Sequence, residues 1–324
     1  MKTRYENRRR INKVVAFAIY LGLLFPALFT ALAISGRWVR PLDSFSHFLH
    51  YYVLAFIIVA FVAGLLKLRK TAALALGSLL VAVWLLGPAR PFALSGQSAL
   101  NAATGSGLKI ITFNLLFRND QIRRIADYVT RQDPDILMLQ EISPTNRGVL
   151  DLLPQYPYRQ SCSLSEAMAT MVLSKREPSA QGCLAKGEVA WMELVLNGEP
   201  LRAASVHLHW PWPFGQWKQV DKIREEIAAW EPGQPVIMGG DFNAVPWSRA
   251  VRDMEAITGS KVVPGFRITI YGYKTPLKLP LFLPIDQVLM PADATLRNAT
   301  TGPELGSDHR PVSVTLDLPM NRRN

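Results

Sequence analysis

Three stretches without a charged side chain precede residue 90: Val14 to Ile34, about Tyr51 to Leu66, and about Thr71 to Gly87. A helix needs about 17 to 25 such residues to cross the hydrocarbon of a bilayer. The first stretch has that length, and the other two lie near the short limit. Pro26 inside the first is tolerable in a membrane helix, where neighbouring groups satisfy the freed carbonyl. A cleaved signal peptide ahead of a buried hairpin is the competing reading. It needs a shorter apolar run and a small-residue cleavage site, and neither is present. Residues 1–90 therefore read as a membrane anchor of three transmembrane helices, at about 14–34, 51–66 and 71–87.

Charge gives the orientation. The net +11 of the chain is concentrated ahead of residue 108, where 12 Lys/Arg meet 2 Asp/Glu; the rest holds 24 and 23. The basic excess thus reports membrane topology, and the near-neutral remainder offers no argument for binding DNA. Lys2, Arg4, Arg8, Arg9, Arg10 and Lys13 precede the first stretch, and Lys67, Arg69 and Lys70 separate the second from the third. The loop from Ser35 to His50 carries only Arg37 and Arg40, offset in part by Asp43. By the positive-inside rule the N-terminus and the 67–70 turn are cytoplasmic. Three spans then place everything after residue 88 on the far side, which in a bacterium is the periplasmic face of the inner membrane. Trp38, Tyr51 and Tyr52 fit an aromatic belt. His47 and His50, one turn apart, read as interfacial polar tips, with a metal or proton site as the alternative.

Residues 88–107, PARPFALSGQSALNAATGSG, are rich in Pro, Gly, Ser and Ala, and 91–107 read as a flexible linker. From residue 108 to about 320, short apolar runs alternate with amphipathic ones. LKIITFNL, DILMLQEI, MATMVLSK, VAWMELVLN, LRAASVHLH, PVIMGGDF, IDQVLM and PVSVTLDL read as strands; QIRRIADYVTRQ and VDKIREEIAAW read as helices. Interspersed helices with both hairpin and crossover spacings indicate an α/β sandwich with mixed sheets.

Polar residues recur where these strands end or begin. Asn114 and Glu141 end the first two, His207 ends ASVH, and Asp241 and Asn243 follow in GGDFN. Asp286 opens IDQVL, and Asp308 and His309 stand in GSDHRPV. Such groups make poor core, so they tend to converge on a site. Carboxylates with an amide oxygen suit a hard cation such as Mg²⁺, and His with Asp supplies proton handling.

TFN, LQE, VHLH, GGDFN, PID and SDHRPV, in that order over residues 108–318, resemble the motif series of the deoxyribonuclease-I-like endonuclease/exonuclease/phosphatase superfamily. GGDFN and GSDHRPV are the specific ones. The chain is most similar to bacterial forms with helical membrane segments ahead of the domain. The resemblance implies a four-layer sandwich of two mixed β-sheets flanked by helices, and a metal-dependent phosphoester hydrolase using Mg²⁺, with Mn²⁺ as a substitute. It implies Glu141 as principal metal ligand with Asn114 and Asp308 beside it, and Asp241 and Asn243 orienting water or phosphate. It also implies His309 at the scissile phosphate, its second N–H held by Asp286, and His207 as a donor to a non-bridging oxygen. Whether His309 or Asp241 is the base stays open. Gln287, where relatives carry His or an aromatic, puts local substrate contacts in question. His209 reads as structural, with a second phosphate contact as the alternative.

Cys162 and Cys183 are the only cysteines. They are either two thiols or one disulfide, and the far-side placement favours the disulfide. WPWPFGQW (210–217) follows His207 and PLKLPLFLP (276–284) precedes Asp286. These apolar segments pack on each other, or form a rim for membrane or a lipid-like substrate, or stack nucleobases. The expected partners are the lipid bilayer and a phosphoester, whether lipid headgroup, small phosphodiester or nucleic acid. The leading expectation is a phosphodiesterase or phosphatase at the outer face of the inner membrane. A nuclease on extracytoplasmic nucleic acid and a catalytically silent binding module are the alternatives.

Overall fold

The apolar stretches near the N-terminus fold as helices in the computed structural model. The structure describes residues 2–87, 107–165, 168–196, 198–231, 233–272 and 281–319. The expected linker lies outside these apart from Gly107, as does the 276–280 part of the second apolar segment. The chain divides into two compact units, Met1–Gly87 and Pro88–Asn324.

In the first unit α1 (Lys2–Ser35) is followed by a 3₁₀ helix (Arg40–Phe48), α2 (Leu49–Leu65) and α3 (Arg69–Leu85). Gly36 makes the turn after α1 possible, because a Cβ there would lie 2.6 Å from Asp43 Cα. Phe29 stacks on Phe45 and Tyr52 at 5.5 and 5.9 Å between ring centres, joining α1 to the next two elements. Two segments, Val14–Ser35 with mean hydropathy 2.2 and Arg40–Leu65 with 2.3, are long and apolar enough to cross a membrane. Their apolar side chains largely point outward, among them Phe17, Leu24, Leu28, Ile57 and Phe61. The third expected span does not reach that standard. α3 has 17 residues and starts on Arg69 and Lys70, and at 1.5 Å per residue it covers about 25 Å against a hydrocarbon core of about 30 Å. His47 is buried within the 3₁₀ helix and does not present an interfacial tip.

The second unit holds two six-stranded sheets. The first sheet comprises β1 (Leu108–Asn114), β2 (Ile136–Ile142), β3 (Tyr158–Ser165), β4 (Met168–Ser174), β13 (Thr295–Thr301) and β14 (Val312–Asp317), in the order β13-β14-β1-β2-β4-β3. The second comprises β5 (Pro178–Leu184), β6 (Val189–Leu196), β7 (Glu199–His207), β8 (Val236–Asp241), β9 (Ser260–Val262) and β12 (Asp286–Pro291), in the order β5-β6-β7-β8-β12-β9. A short hairpin pairs β10 (Ile270–Gly272) with β11 (Leu281–Leu283). The parallel pairs are β1 with β2, crossed over by α4 (Ile122–Gln132), and β7 with β8, crossed over by α5 (Gln216–Ile227). Each other pairing within the two sheets is antiparallel, so both sheets are mixed.

Alternation along the strands builds the layers. Ile110, Met138, Val172, Met192, Ala203, Ile237, Val288 and Val314 fill the space between the sheets. Ile111, Phe113, Leu137 and Leu139 face the other way, onto Ile125 and Val129 of α4. In the second sheet Val206 and Met238 face Val220 and Ile223 of α5 and Val251 and Met254 of α6 (Arg249–Thr258). This is the expected four-layer α/β/β/α sandwich. Because the central strands are covered on both faces, they are continuously apolar in sequence.

The glycines of GGDFN are fixed by this packing. A Cβ on Gly240 would come within 1.8 Å of Val206 O, and one on Gly239 within 2.7 Å of Met138 Sδ in the facing sheet. Cys162 on β3 and Cys183 on β5 form the expected disulfide, with Cα atoms 5.7 Å apart. It ties an edge strand of one sheet to an edge strand of the other.

Candidate active site

Register brings the polar strand ends to one edge. His207 pairs with Asp241 across β7 and β8, and Asp286 pairs with Asp241 across β8 and β12. In the facing sheet Asn114 pairs with Gln140, beside Glu141, and β14 starts opposite Thr112, so the 307–311 turn returns to the same edge.

Asn114 joins the two sheets at the centre. Its Nδ2 donates to Glu141 Oε1 and to Asp241 Oδ2, both at 3.0 Å. Its Oδ1 accepts from Leu116 N at 2.9 Å. It therefore holds two carboxylates together through its nitrogen, whereas a metal ligand would offer its oxygen. Glu141 Oε2 accepts from Phe117 N at 2.9 Å. Glu141 has φ +58° and Asn243 φ +44°. Left-handed backbone at non-glycine residues costs free energy and is found where surrounding structure fixes a functional group. Glu141 sits where the β2–β4 register shifts, which aims its side chain along the edge. Asn243 N donates to Asp241 Oδ1 at 2.8 Å, and Asn243 Nδ2 donates to Leu208 O at 2.8 Å.

On the other side of Asp241, His309 Nδ1 lies 2.8 Å from Asp286 Oδ2, and both side chains are buried. His309 Nε2 is 3.7 Å from Asp241 Oδ2 and 4.0 Å from Asp308 Oδ1. His207 Nε2 is 3.5 Å from Asp241 Oδ2 and 3.9 Å from Glu141 Oε1. Burial works against a charge on His309, but the carboxylates of Asp286, Asp241 and Asp308 outweigh it and raise its pKa to about 10. Burial pushes Asp286 up, with the His309 charge pulling against it. These carboxylates thus favour the imidazolium, whose Nε2 faces Asp241 and the site.

All eight residues singled out in the sequence, Asn114, Glu141, His207, Asp241, Asn243, Asp286, Asp308 and His309, stand at this one edge. Gln287 and His209 stand apart from this set, His209 in the strand-end structural role expected of it. Gln287 is buried, and its Nε2 donates to Ala244 O and Pro284 O, so it secures loops and does not line the site. His209 Nε2 is 2.7 Å from Glu188 Oε1, which, with its hydrogen bond, raises the His209 pKa. This is a strand-end ion pair outside the site.

Several supporting residues carried no signal strong enough to be picked from the sequence. Asn146 Nδ2 donates to Glu141 O at 2.9 Å. Ser307 Oγ donates to Asn114 O and accepts from His309 N. Thr269 Oγ1 accepts from Asp286 N at 3.2 Å. Beneath the site Gln140 Nε2 donates to Thr112 Oγ1 and Ser205 Oγ, joining β1, β2 and β7 in the buried space between the sheets. Ser307 is the G-S-D-H neighbour of His309, and Asn146 follows Ser143 in a turn, so position was their only clue.

The donor chemistry fits a divalent cation. Glu141, Asp241, Asp286 and Asp308 bring four carboxylates to one edge, against two imidazoles. Among the described residues Asp241, Asp286 and His309 form a group whose ligand-type atoms lie within 4.8 Å of one another. Asp286 and His309 already hold each other, which leaves Glu141 and its neighbours as the hard-oxygen side of the site.

Fold and site together are those of a four-layer sandwich hydrolase. The profile described as the Endonuclease/Exonuclease/phosphatase family matches residues 111–309, and the chain belongs to that family. Among solved structures it is similar to an endonuclease/exonuclease/phosphatase from Bacteroides vulgatus, with TM-score 0.57 and 15% identity over 66% of this chain and 100% of that one. Another is D. rerio TDP2 complexed with single strand DNA product, with TM-score 0.55 and 19% identity over 66% and 100%. A third is a mannosyl-6-phosphatase from Bacteroides thetaiotaomicron, with TM-score 0.53 and 14% identity over 65% and 100%. These likenesses show the fold. A search of curated proteins gave no match.

Proposed function

We propose that the chain is a membrane-anchored, Mg²⁺-dependent phosphodiesterase or phosphatase whose catalytic unit works in the periplasm. The observation that carries the chemistry is the buried His309 ring held at Nδ1 by Asp286, with its Nε2 turned toward Asp241. Water attacks phosphorus in line with the leaving oxygen. Asp241, fixed by Asn114 and by the backbone N–H of Asn243, orients the water and draws off its proton. His309 and His207 donate to phosphoryl oxygens as their negative charge grows. This assigns the base to Asp241 and the donor to His309. Glu141, with Asp308 alongside and Asn114 bracing it, would hold Mg²⁺ or Mn²⁺, which neutralises phosphoryl charge when bound.

The membrane reading rests on two helices of sufficient length whose apolar side chains face outward, an arrangement that water disfavours and lipid does not. We propose that α3 also crosses. Its outer surface carries Leu74, Leu76, Leu80 and Trp84. Arg69 and Lys70 snorkel to the boundary, and local thinning accommodates a short helix at modest cost. The Cys162–Cys183 bond favours the oxidising side that three spans require.

The test is hydrolysis by detergent-purified full-length protein of plasmid DNA, RNA, phospholipid and a bis-aryl phosphodiester, with and without EDTA. EDTA-sensitive release of phosphate or alcohol from phospholipid or the small diester is the expected result. Cleavage confined to DNA or RNA would replace this reading with a nuclease. Inertness toward every substrate in the presence of Mg²⁺ or Mn²⁺ would leave a binding module.

A further inference from the structure

The loop after β7 and the first turn of α5 carry WPWPFGQW at 210–217. Trp212 is 58% exposed, Phe214 66% and Trp217 37%. On the loop after β1, Phe117 is 46% exposed. Both loops leave their sheets at the catalytic edge, one from each sheet, and Phe117 N is itself a donor to Glu141. The aromatic loop is fastened there. Gln216 Nε2 donates to His209 O, Phe242 O and Asn243 O at 2.8, 3.0 and 3.2 Å, which fixes the loop to the turn that carries Asp241. Basic side chains accompany the rings. The Arg118 guanidinium is 6.0 Å from the Phe117 ring centre, and Lys218 Nζ is 5.4 Å from that of Trp217.

Rings held outward beside cations match the headgroup zone of a bilayer, where aromatic side chains settle at the interface and Lys and Arg meet lipid phosphates. A nucleic acid also stacks on rings, but it calls for a strongly basic groove. Residues 108–324 carry 24 Lys/Arg against 23 Asp/Glu. The same chain has two helices long and apolar enough to enter a membrane. We propose that the rim of Phe117, Trp212, Phe214 and Trp217 seats on the bilayer surface, and that the phosphoester admitted to the site is a phospholipid headgroup. The second half rests on the phosphoester-hydrolase reading. Seating the rim lets a headgroup phosphate reach Asp241 and His309 while its acyl chains stay in the membrane.

The test uses full-length protein in vesicles of phosphatidylethanolamine and phosphatidylglycerol. Both native cysteines are in the disulfide, so Phe214→Cys supplies a single thiol for an environment-sensitive nitrobenzoxadiazole label. Val195→Cys is the control, since Val195 is exposed and pairs with Pro200 at the start of β7, the end away from the site. The expected result is blue-shifted emission from position 214, quenched by nitroxide lipids, with water-like, unquenched emission from 195. In parallel, Trp212→Ala/Phe214→Ala should lower the ratio of kcat/KM on vesicle phospholipid to that on bis-p-nitrophenyl phosphate by about tenfold, or about 1.4 kcal/mol. Water-like emission from position 214 overturns the seating. A blue shift that needs added single-stranded oligonucleotide also overturns it, in favour of a nucleic-acid platform. An unchanged kcat/KM ratio overturns the phospholipid substrate. Lipid quenching at 214 in a preparation that hydrolyses nothing supports the seating and defeats the hydrolase reading alone.

Discussion

Nδ1 of His309 and Oδ2 of Asp286 are 2.8 Å apart at the floor of the site, and neither side chain is open to solvent. The carboxylate takes up Nδ1–H, fixes the ring orientation and favours the imidazolium, in which Nε2–H is left to face a phosphoryl oxygen. The two act as a unit. His309→Ala should lower kcat by about 10²–10³, the usual loss for a transition-state donor, with KM little changed. Adding Asp286→Asn to His309→Ala should cost little more, because the second residue works through the first. Steady-state kinetics of the two single variants and the double variant check this. Effects that multiply fully would show that Asp286 has a separate task.

Glu141 keeps both oxygens on the site edge, accepting from Asn114 Nδ2 and Phe117 N. Replacing it with Gln preserves the shape but removes the charge a divalent cation needs. Glu141→Gln should raise the Mg²⁺ concentration for half-maximal activity at least about tenfold, the scale of 1.4 kcal/mol. Metal titration of hydrolysis measures it. Wild-type Mg²⁺ dependence in this variant would move the cation elsewhere on the edge.

The site was legible because its members are charged or amide groups placed where apolar strands stop. Asn114, Glu141, His207 and Asp241 all mark that break in pattern, and Asp286 and His309 stand in short motifs of their own. Gln287, the departure beside Asp286 that put local substrate contacts in question, spends its amide on the carbonyls of Ala244 and Pro284. A polar residue at the first inward position of a strand gives the same signal whether it serves chemistry or loop anchoring. Ser307, Asn146 and Thr269 each hold two or more backbone groups around the site, but a lone Ser, Asn or Thr in a turn leaves no periodic trace. Of the three expected spans two have sufficient length, whereas the uncharged run of the third forms a helix of only 17 residues with no apolar element continuing it among the described residues.

Gln140 is the clearest residue hidden from sequence reasoning. It is fully buried between the sheets, donating to Ser205 Oγ at 2.8 Å and to Thr112 Oγ1 at 3.2 Å. A leucine there would fit the apolar strand DILMLQEI but strand the buried Thr112 hydroxyl and leave Ser205 Oγ only its bond to Leu139 O. Gln140→Leu should destabilise the catalytic unit by about 1–3 kcal/mol, the cost of unsatisfied buried groups. Thermal unfolding should show a fall in Tm of about 2–4 °C per kcal/mol for a unit of this size. An unchanged Tm would mean that the Thr112 hydroxyl finds another partner.

Gly240 marks where backbone meets backbone. Its missing Cβ would overlap Val206 O at 1.8 Å, a contact no side-chain rotation relieves. Gly240→Ala must push β7 from β8 one position before His207 and Asp241 pair, so it should lose activity even where folded protein is recovered. A 1 Å displacement of catalytic groups costs on the order of 10²-fold in rate. Purified variant with a wild-type rate would show that the strands part without moving the site.

Cys162 and Cys183 lie on edge strands of different sheets and close a sequence separation of 21 residues. A bond of that span contributes roughly 3 kcal/mol in the chain-entropy account, and it persists only where the surroundings are oxidising. The disulfide and the topology are therefore one prediction. Alkylation of full-length protein from unreduced cells should find no reactive thiol, and C-terminal fusions should give active alkaline phosphatase and dark green fluorescent protein. Cys162→Ser/Cys183→Ser should lower the Tm of the catalytic unit, and mild reductant should bring the wild type toward the same value. A fluorescent C-terminal fusion with two free thiols would place the domain in the cytoplasm. That outcome would agree with the two spans whose length suffices, and α3 would then be a helix that does not cross.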